Sequence, residues 1–415
     1  MKKLLVKNIG LLATPEGKSA HRGEEQGKIK FLKDAWVLIE DGIIASVGTG
    51  AVPAVEGAEV VDAEGHLVTP GLVDAHTHLI FGGWRQNELG LKLHGASYLD
   101  IQNAGGGIQS TTNATRQASE QELAAKASKA LDEMMGFGTT TVEAKSGYGL
   151  ATEHELKALE VIKDLNDHHR MDLVATFMGA HLVPAEYKSN REEYVRLVCE
   201  EMMPKVKEQG IAKFCDVFCE ADTFTVEESR QVLEAGLKYG LRPKIHADEI
   251  AYVKEDKSEI GGSQLAGEIG AISAEHLIVC PPEGIASMAK GGVIACLLPA
   301  TSFNLGAVFA PARDMVKAGV PVAMATDFNP GSCPCLNMQF VINLGCLKYK
   351  LTPEEVLTAV TLNGAAAIDL ADKVGSVEEG KLGDLVIWDA PDLDYICYRV
   401  GSNLAKTVIK RGEIV

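Results

Sequence analysis

The chain has no long apolar run and no excess of basic residues. No window approaches the ~18–20 uninterrupted apolar residues that a membrane-spanning helix needs. The formal net charge is −17 at pH 7, which argues against nucleic acid as a partner because phosphate binding needs a basic face. Lys7 and Asn8 interrupt the short apolar start and no small-residue cleavage site follows, so no signal peptide is expected. These absences predict a soluble, cytoplasmic protein that acts on a small molecule.

A disulfide pattern is also missing. The nine cysteines are an odd count, and they lie in apolar segments such as residues 214–219 and 294–297. This placement indicates reduced thiols in the core of the protein.

Both ends of the chain have the character of β-structure. Residues 35–48 contain two β-rich runs on either side of an Asp-Gly pair, which is a hairpin signal. Residues 380–389 and 405–415 have the same character, but neither end alone has enough strands to bury a face. We therefore predict that residues 1–66 and 378–415 pair into one composite β-sandwich domain, with residues 67–377 inserted between them as a second domain.

Within the inserted region, short apolar runs alternate with helical patterns, which indicates parallel strands joined by crossover helices. Eight such runs in about 255 residues match the size of a (β/α)8 TIM barrel of the α/β class. A doubly wound sheet has the same rhythm, but the polar residues at the strand ends favour the barrel. The predicted strands are 72–79, 139–144, 173–178, 212–218, 242–246, 271–276, 293–298 and 320–325.

Histidine and acidic residues end most of these runs, where barrel enzymes carry their active sites. His76 and His78 are two residues apart on a strand, so both imidazoles project to one face and can bind one ion. His246 and Asp327 are the candidate third and fourth ligands; a core histidine and an N-cap aspartate are the alternative interpretations. Imidazole and carboxylate ligands suit zinc or iron. The pattern predicts one zinc or iron ion per chain.

Three further strand-end groups are candidates for acid–base work. Glu249 can hold the substrate or move a proton, and His276 can hydrogen-bond and polarise a metal-activated water. His181 can polarise a substrate carbonyl. A purely structural role is the alternative for each of them.

Candidate substrate contacts follow the first and last predicted strands. Arg85 can grip a substrate carboxylate through two parallel hydrogen bonds. Gly331 and Ser332 offer backbone and hydroxyl donors beside Asp327. His94 lies near a candidate substrate loop, and its role stays open.

These motifs together resemble the amidohydrolase superfamily. Asp74-Ala75-His76-Thr77-His78, after residues 68–73, is similar to the first-strand motif of that superfamily, and His246, His276 and Asp327 continue its order. Longer stretches resemble one group of its members, which opens an imidazolone ring. These stretches are residues 95–98, 104–108, 145–150, 177–181, 246–249 and 327–332.

The resemblance implies hydrolysis of 4-imidazolone-5-propanoate to N-formimidoyl-L-glutamate in histidine degradation, by a homodimer that binds zinc or iron. The implied metal ligands are His76, His78, His246 and Asp327. The residues implied to contact substrate are Arg85, Tyr148, His181 and Glu249, with Asn329, Gly331 and Ser332 at the product end. The implied catalytic groups are Glu249, His276, Asp327 and His181.

Two other functions remain open at this point. Another one-metal enzyme, an aminohydrolase of a purine or pyrimidine ring, would give Arg85 little to bind. A non-catalytic barrel acting as a scaffold would not need every candidate ligand that is present. Cys219-Glu220 ends the fourth strand, where two-metal relatives carry a lysine, so a single ion is expected. Residues 250–260 look longer and more charged than the corresponding loop of the family.

Overall fold

The fold is seen in a computed structural model that describes residues 2–95, 106–220, 223–250 and 261–415. Parts of the 95–98 and 104–108 motifs and nearly all of the 250–260 loop fall outside these ranges. In the described residues, no helix is both long enough and apolar enough to cross a bilayer.

The strands fall into two sheets. In chain order they are β1 Lys3–Thr14, β2 Lys30–Glu40, β3 Ile43–Thr49, β4 Glu59–Asp62, β5 Leu67–Pro70, β6 Leu72–Asp74, β7 Thr139–Lys145, β8 Asp172–Ala180, β9 Phe214–Cys219, β10 Arg242–Ala247, β11 Ser273–His276, β12 Ile294–Leu297, β13 Val322–Met324, β14 Leu385–Trp388, β15 Ala405–Lys410 and β16 Glu413–Ile414.

Strands β6 to β13 form a parallel sheet of eight strands in sequential order. An isolated parallel bridge between Thr77 and Phe328 joins the first strand to the last. At this closure His78 N donates to Phe328 O at 2.9 Å, and Asp327 N donates to His76 O at 3.1 Å. The closure confirms the predicted (β/α)8 barrel and rules out a doubly wound sheet, whose edges stay open.

The barrel strands are buried on both faces, which explains why they read as nearly continuous apolar runs rather than as alternating ones. Every residue of β7 and of β9 is buried. The helices that cover the outside of the barrel are amphipathic, and three begin at a capping box, at Ser119, Thr225 and Thr352.

The α-helices of the described residues are Leu89–Leu93, Gly107–Gln117, Glu120–Gly136, Thr152–His168, Arg191–Leu197, Met203–Gln209, Val226–Lys238, Gly262–Ile269, Pro282–Gly291, Pro299–Leu305, Ala312–Lys317, Met338–Leu347, Pro353–Ala359, Leu362–Ala367 and Leu393–Tyr398.

The other sheet is built from both ends of the chain, as predicted. Its order is β16-β15-β14-β5-β1-β2-β3, with β4 beside β1. Asp41 and Gly42 have φ values of 48° and 83°, the left-handed pair that a tight β2–β3 hairpin turn requires. Strand β5 joins N-terminal β1 to C-terminal β14, and the chain then passes into the barrel through Gly71.

Candidate metal centre

His76 and His78 lie just beyond the short strand β6, which ends at Asp74 and not at residue 79 as predicted. The chain continues alongside the last strand through the Thr77–Phe328 bridge. Both histidine side chains are buried, with residue exposures of 0% and 3%. The backbone hydrogen bonds that close the barrel run from and to these same residues, so the closure fixes where the two imidazoles lie.

The structure brings all four predicted ligands together. His76 Nε2 lies 3.4 Å from Asp327 Oδ1, and His78 Nε2 lies 3.6 Å from the same oxygen. His246 Nε2 lies 3.2 Å from His78 Nε2. One ligand atom each from His76, His78 and Asp327 lie within 4.8 Å of one another, and so do those of His76, His246 and His276. His276 therefore lies at the same centre, next to the four.

The chemistry of these atoms fits a cation. Among the described residues, His76 Nε2 and Asp327 Oδ1 are buried and have no hydrogen-bond partner, which is costly for polar atoms unless something else satisfies them. Burial lowers the pKa of His76 and of His78 well below the usual range. Both rings are therefore neutral at pH 7 and present nitrogen lone pairs. Neutral imidazoles and a carboxylate are the ligand set that a zinc or iron site uses.

Hydrogen bonds behind the ligands fix which nitrogen of each ring faces the centre. His76 Nδ1 lies 2.9 Å from Glu275 Oε2, and His246 Nδ1 lies 3.0 Å from Asp216 Oδ1. Because a carboxylate only accepts, each Nδ1 carries the proton and each Nε2 faces inward. Burial alone would raise the pKa of Asp216, but His246 and Lys145 lower it below the usual range. Neither Asp216 nor Glu275 is among the site residues predicted from the sequence.

Asp327 is held so that one carboxylate oxygen is left for the centre. Thr301 Oγ1 donates to Asp327 Oδ2 at 2.6 Å, and Asn329 Nδ2 donates to Asp327 O at 2.8 Å. The backbone of Asp327 has φ of 58°, a conformation that costs a non-glycine residue about 1–3 kcal/mol. Burial raises the pKa of its carboxyl to about 6, and a bound cation would favour the ionised form.

His276 and Glu249 lie side by side at the rim. His276 Nε2 is 3.5 Å from Glu249 Oε2. Burial, then the charges of Asp327 and Glu220, raise the pKa of Glu249 well above the usual range, so this carboxyl can carry a proton at neutral pH. Glu220 Oε2 accepts hydrogen bonds from the backbone N of Glu249 at 2.7 Å and of Ile250 at 2.8 Å. Glu220 thus sets the position of the Glu249 backbone.

Tyr148 and His181 form an aromatic wall beside the centre. The His181 ring stacks on His78 with centroids 4.9 Å apart, and the Tyr148 ring lies 5.1 Å from that of His181. His181 Nδ1 lies 2.9 Å from Gly147 O, so Nδ1 carries a proton and the neutral ring has its lone pair at Nε2. The polarisation of a carbonyl by His181 therefore needs the protonated ring.

Replacing His181 by Gln is expected to make folding less sensitive to acid once the metal has been removed with a chelator. Burial lowers the pKa of His181 to about 3, whereas an unfolded histidine titrates near ~6.5. Between those values the unfolded chain binds more protons, so this residue's contribution to stability is present above ~6.5 and is lost as pH falls toward 3. The melting temperature measured from pH 7.5 to 5 should fall less steeply for His181→Gln; parallel curves would contradict the assignment.

Arg85 lies against the Asp327 loop. Its Nε and Nη2 atoms each donate at 2.9 Å to the carboxylate of Glu88. Glu88 is not among the predicted site residues, although its i, i+3 spacing from Arg85 is visible in the sequence. A Cβ at Gly331 would come within 2.1 Å of Arg85 Nη1, so only glycine lets the guanidinium approach here. Arg85 is 8% exposed.

Asn329, Gly331 and Ser332 form a tight turn next to Arg85. Asn329 Oδ1 accepts hydrogen bonds from Gly331 N and Ser332 N, both at 2.8 Å, and Asn329 Nδ2 donates to Ser332 Oγ at 2.9 Å. His94 is exposed on the loop after β6, with Nδ1 2.6 Å from Gly90 O. The described residues show no link between His94 and the centre.

Comparison with known proteins agrees with this architecture. Residues 67–415 match the model of the amidohydrolase family. The chain belongs to the amidohydrolase family. The predicted hydrolase and the resemblance are thereby confirmed, and the histidine–aspartate group supports a metal ion as its cofactor.

Similar amidohydrolases include an imidazolonepropionase from Alkaliphilus metalliredigens, 51% identical over 100% of this chain and 98% of that protein. The imidazolonepropionase of Alkaliphilus oremlandii is 48% identical over 99% of this chain and 97% of its own length. Among solved structures, atrazine chlorohydrolase from Arthrobacter aurescens complexed with zinc has a TM-score of 0.75 and 19% identity, covering 99% of this chain and 94% of that one. An adenosine deaminase from Xanthomonas campestris with bound zinc has a TM-score of 0.72 and 20% identity, covering 100% and 92%. The two solved structures share the fold with this amidohydrolase.

Lysine in this amidohydrolase barrel stands at the end of the second strand rather than the fourth. Lys145 ends β7, and its Nζ lies 2.7 Å from Glu143 Oε1 and 2.8 Å from Asp216 Oδ2. An ammonium group that is ion-paired with two carboxylates cannot bridge two metal ions. This arrangement agrees with the expectation of a single ion.

Proposed function

We propose that this chain hydrolyses the ring amide of 4-imidazolone-5-propanoate to N-formimidoyl-L-glutamate, a step of histidine degradation. Relatives named imidazolonepropionase match the whole chain at about half identity. The observation that carries the proposal is the placement of a buried arginine, Arg85, against the loop that follows Asp327. A substrate with a carboxylate on one side and a ring amide on the other would place its carboxylate at Arg85 and its ring amide at the metal centre.

One zinc or iron ion would be held at the centre by four ligands, His76, His78, His246 and Asp327, with His276 beside them. When bound, the ion supplies Lewis-acid activation of a water molecule and of the ring carbonyl.

The chain's own groups then orient the substrate and move protons. Arg85 binds the propionate, and Tyr148 packs against the imidazolone ring. His181, which is neutral at pH 7, offers its Nε2 lone pair to an N–H group of the imidazolone ring. Asp327 accepts the proton of the attacking water through its carboxylate, and His276 orients that water by a hydrogen bond. Glu249, which burial keeps protonated, delivers a proton to the departing ring nitrogen. The proton taken up by Asp327 then passes through solvent to Glu249, which restores both carboxyls.

Asn329, Gly331 and Ser332 would contact the product end next to Arg85. We also propose that the protein is a homodimer, as the family resemblance implies, and that it is cytoplasmic, as the sequence predicts. The domain division at residues 66/67 and 377/378 likewise stays a proposal. The sheet built from both ends of the chain extends to Pro70 through β5.

An absorbance assay with freshly prepared 4-imidazolone-5-propanoate tests this function. We expect turnover by the purified protein, its loss after treatment with a chelator, and its return when zinc or ferrous iron is added back, because the water must be activated at the centre. A purine or pyrimidine nucleobase supplied in the same assay is expected not to react. Deamination of such a base without hydrolysis of the imidazolone would replace the proposal with the aminohydrolase alternative.

A further inference from the structure

Lys145 occupies a position inside the barrel that the mechanism above does not use. It is fully buried at the end of β7, and so are the two carboxylates that it contacts, Glu143 and Asp216. Its Nζ is 2.7 Å from Glu143 Oε1 and 2.8 Å from Asp216 Oδ2. Each of these carboxylates leads to a different part of the metal centre.

The first connection runs to the fifth strand of the barrel. Asp216 Oδ2 faces Lys145, and its other oxygen, Oδ1, lies 3.0 Å from His246 Nδ1. Lys145 is therefore connected to the His246 ligand through a single intervening side chain, that of Asp216. The rotation of the His246 ring depends on where the Asp216 carboxylate is held.

The second connection runs to the first strand. Glu143 Oε2 lies 3.3 Å from the backbone N of Thr77, and Thr77 Oγ1 donates to Glu143 O at 2.7 Å. The backbone N of Lys145 in turn donates to Thr77 O at 3.0 Å. Thr77 is the residue between the ligands His76 and His78, so these bonds hold the segment that carries both.

Neither carboxylate would be stable here without a cation. Two buried acids that face the same point repel each other, and a buried carboxylate left unpaired is strongly destabilising. Lys145 compensates both at once, and among the described residues no other lysine or arginine is ion-paired with either carboxylate. The ammonium group is thus the link between the two connections.

We propose that Lys145 is a positioning residue that joins the ligands of β10 and of the segment after β6 into one unit of ion pairs and hydrogen bonds through Glu143 and Asp216. The inference rests on the proposed metal centre, but it concerns ligand geometry and not substrate. It predicts that damage to either carboxylate weakens metal binding, and that the two effects depend on each other because they share Lys145.

The test is a double-mutant cycle on zinc affinity, measured by competition with a chelating dye on the full-length protein. Asp216→Asn and Glu143→Gln keep side-chain shape and remove one charge each. We expect each single variant to bind zinc about 10- to 100-fold more weakly than the wild type. The loss in the double variant should depart from the product of the single losses by at least about threefold. Substituted cobalt provides a second readout, since a displaced imidazole shifts its visible absorption bands.

Asp384→Asn is the matched control. Asp384 is also a buried aspartate paired with a lysine, 2.6 Å from Lys410 Nζ, but it adjoins β14 in the other sheet. This variant should lower the melting temperature and leave zinc affinity and the cobalt spectrum unchanged. When Asp384→Asn is combined with Asp216→Asn, the loss of zinc affinity should equal the product of the two single losses to within about twofold.

Zinc affinity within about twofold of the wild type in a folded Asp216→Asn protein would overturn the proposal, and so would single losses that simply multiply in the double variant. Should Asp216→Asn not fold, Glu143→Gln alone decides by the same affinity criterion. Because zinc binding is read without substrate, a wild-type protein that binds zinc but leaves imidazolone propionate intact would refute the proposed function and not this inference.

Discussion

Asp327→Ala is expected to reduce kcat by at least about 10³-fold and to lower the zinc content of the purified protein. Its Oδ1 lies 3.4 Å and 3.6 Å from the inward nitrogens of His76 and His78, so the substitution removes a ligand. It also removes the group that we propose accepts the proton of the attacking water. Steady-state kinetics and elemental analysis on the same preparation measure both losses.

Two companion variants separate this role from general stability. Thr301→Val keeps the carboxylate but removes the 2.6 Å hydrogen bond to Asp327 Oδ2, and we expect a smaller loss of roughly 5- to 150-fold in kcat with zinc content kept. Asp384→Asn removes a buried aspartate far from the centre and should leave kcat unchanged. An Asp327→Ala protein with more than a tenth of wild-type kcat would show that the chemistry lies elsewhere.

The position of the centre could be predicted from the sequence because two local signals coincide there. Apolar runs marked the buried strands. The two-residue spacing of His76 and His78 put both rings on one face of the segment that continues β6 along the last strand. The strand ends at His246 and Asp327 then supplied the remaining ligands, since all strands of a parallel barrel end at the same rim. These inferences need only the period of a strand and the direction of the sheet.

The hydrogen bonds behind the ligands could not be predicted in the same way. An acid inside an apolar strand, such as Asp216 in β9, is a visible anomaly, because burial of an unpaired charge is costly. Its partner, however, depends on the register between β9 and β10. In that register Asp216 lies opposite Lys244, and Phe218 lies opposite His246, so the Asp216 side chain reaches His246 diagonally on the adjacent strand. The left-handed backbone of Asp327 and of His276, with φ of 58° and 67°, is likewise set by the closed barrel and not by residue type.

Arg85 presents the opposite case, in which the residue was predicted and its neighbour was missed. The carboxylate of Glu88 already accepts two hydrogen bonds from the guanidinium at 2.9 Å. This pairing holds the arginine in one orientation, with Nη1 directed toward Gly331. A preorganised guanidinium loses less entropy when a second carboxylate arrives.

Arg85→Ala should therefore raise KM for 4-imidazolone-5-propanoate strongly and lower kcat/KM by about 30- to 5000-fold, the equivalent of about 2–5 kcal/mol for truncating one partner of a buried charge pair. With an imidazolone that lacks the propionate, the same substitution should change kcat/KM by less than about threefold, since that substrate offers no carboxylate. Arg313→Ala is the control for losing an arginine paired with a glutamate, because Arg313 Nη1 lies 2.9 Å from Glu355 Oε1 away from the centre. Equal losses for the acidic and the neutral substrate would mean that Arg85 supports the loop of Asp327 rather than the propionate, and the assignment of substrate would lose its structural basis.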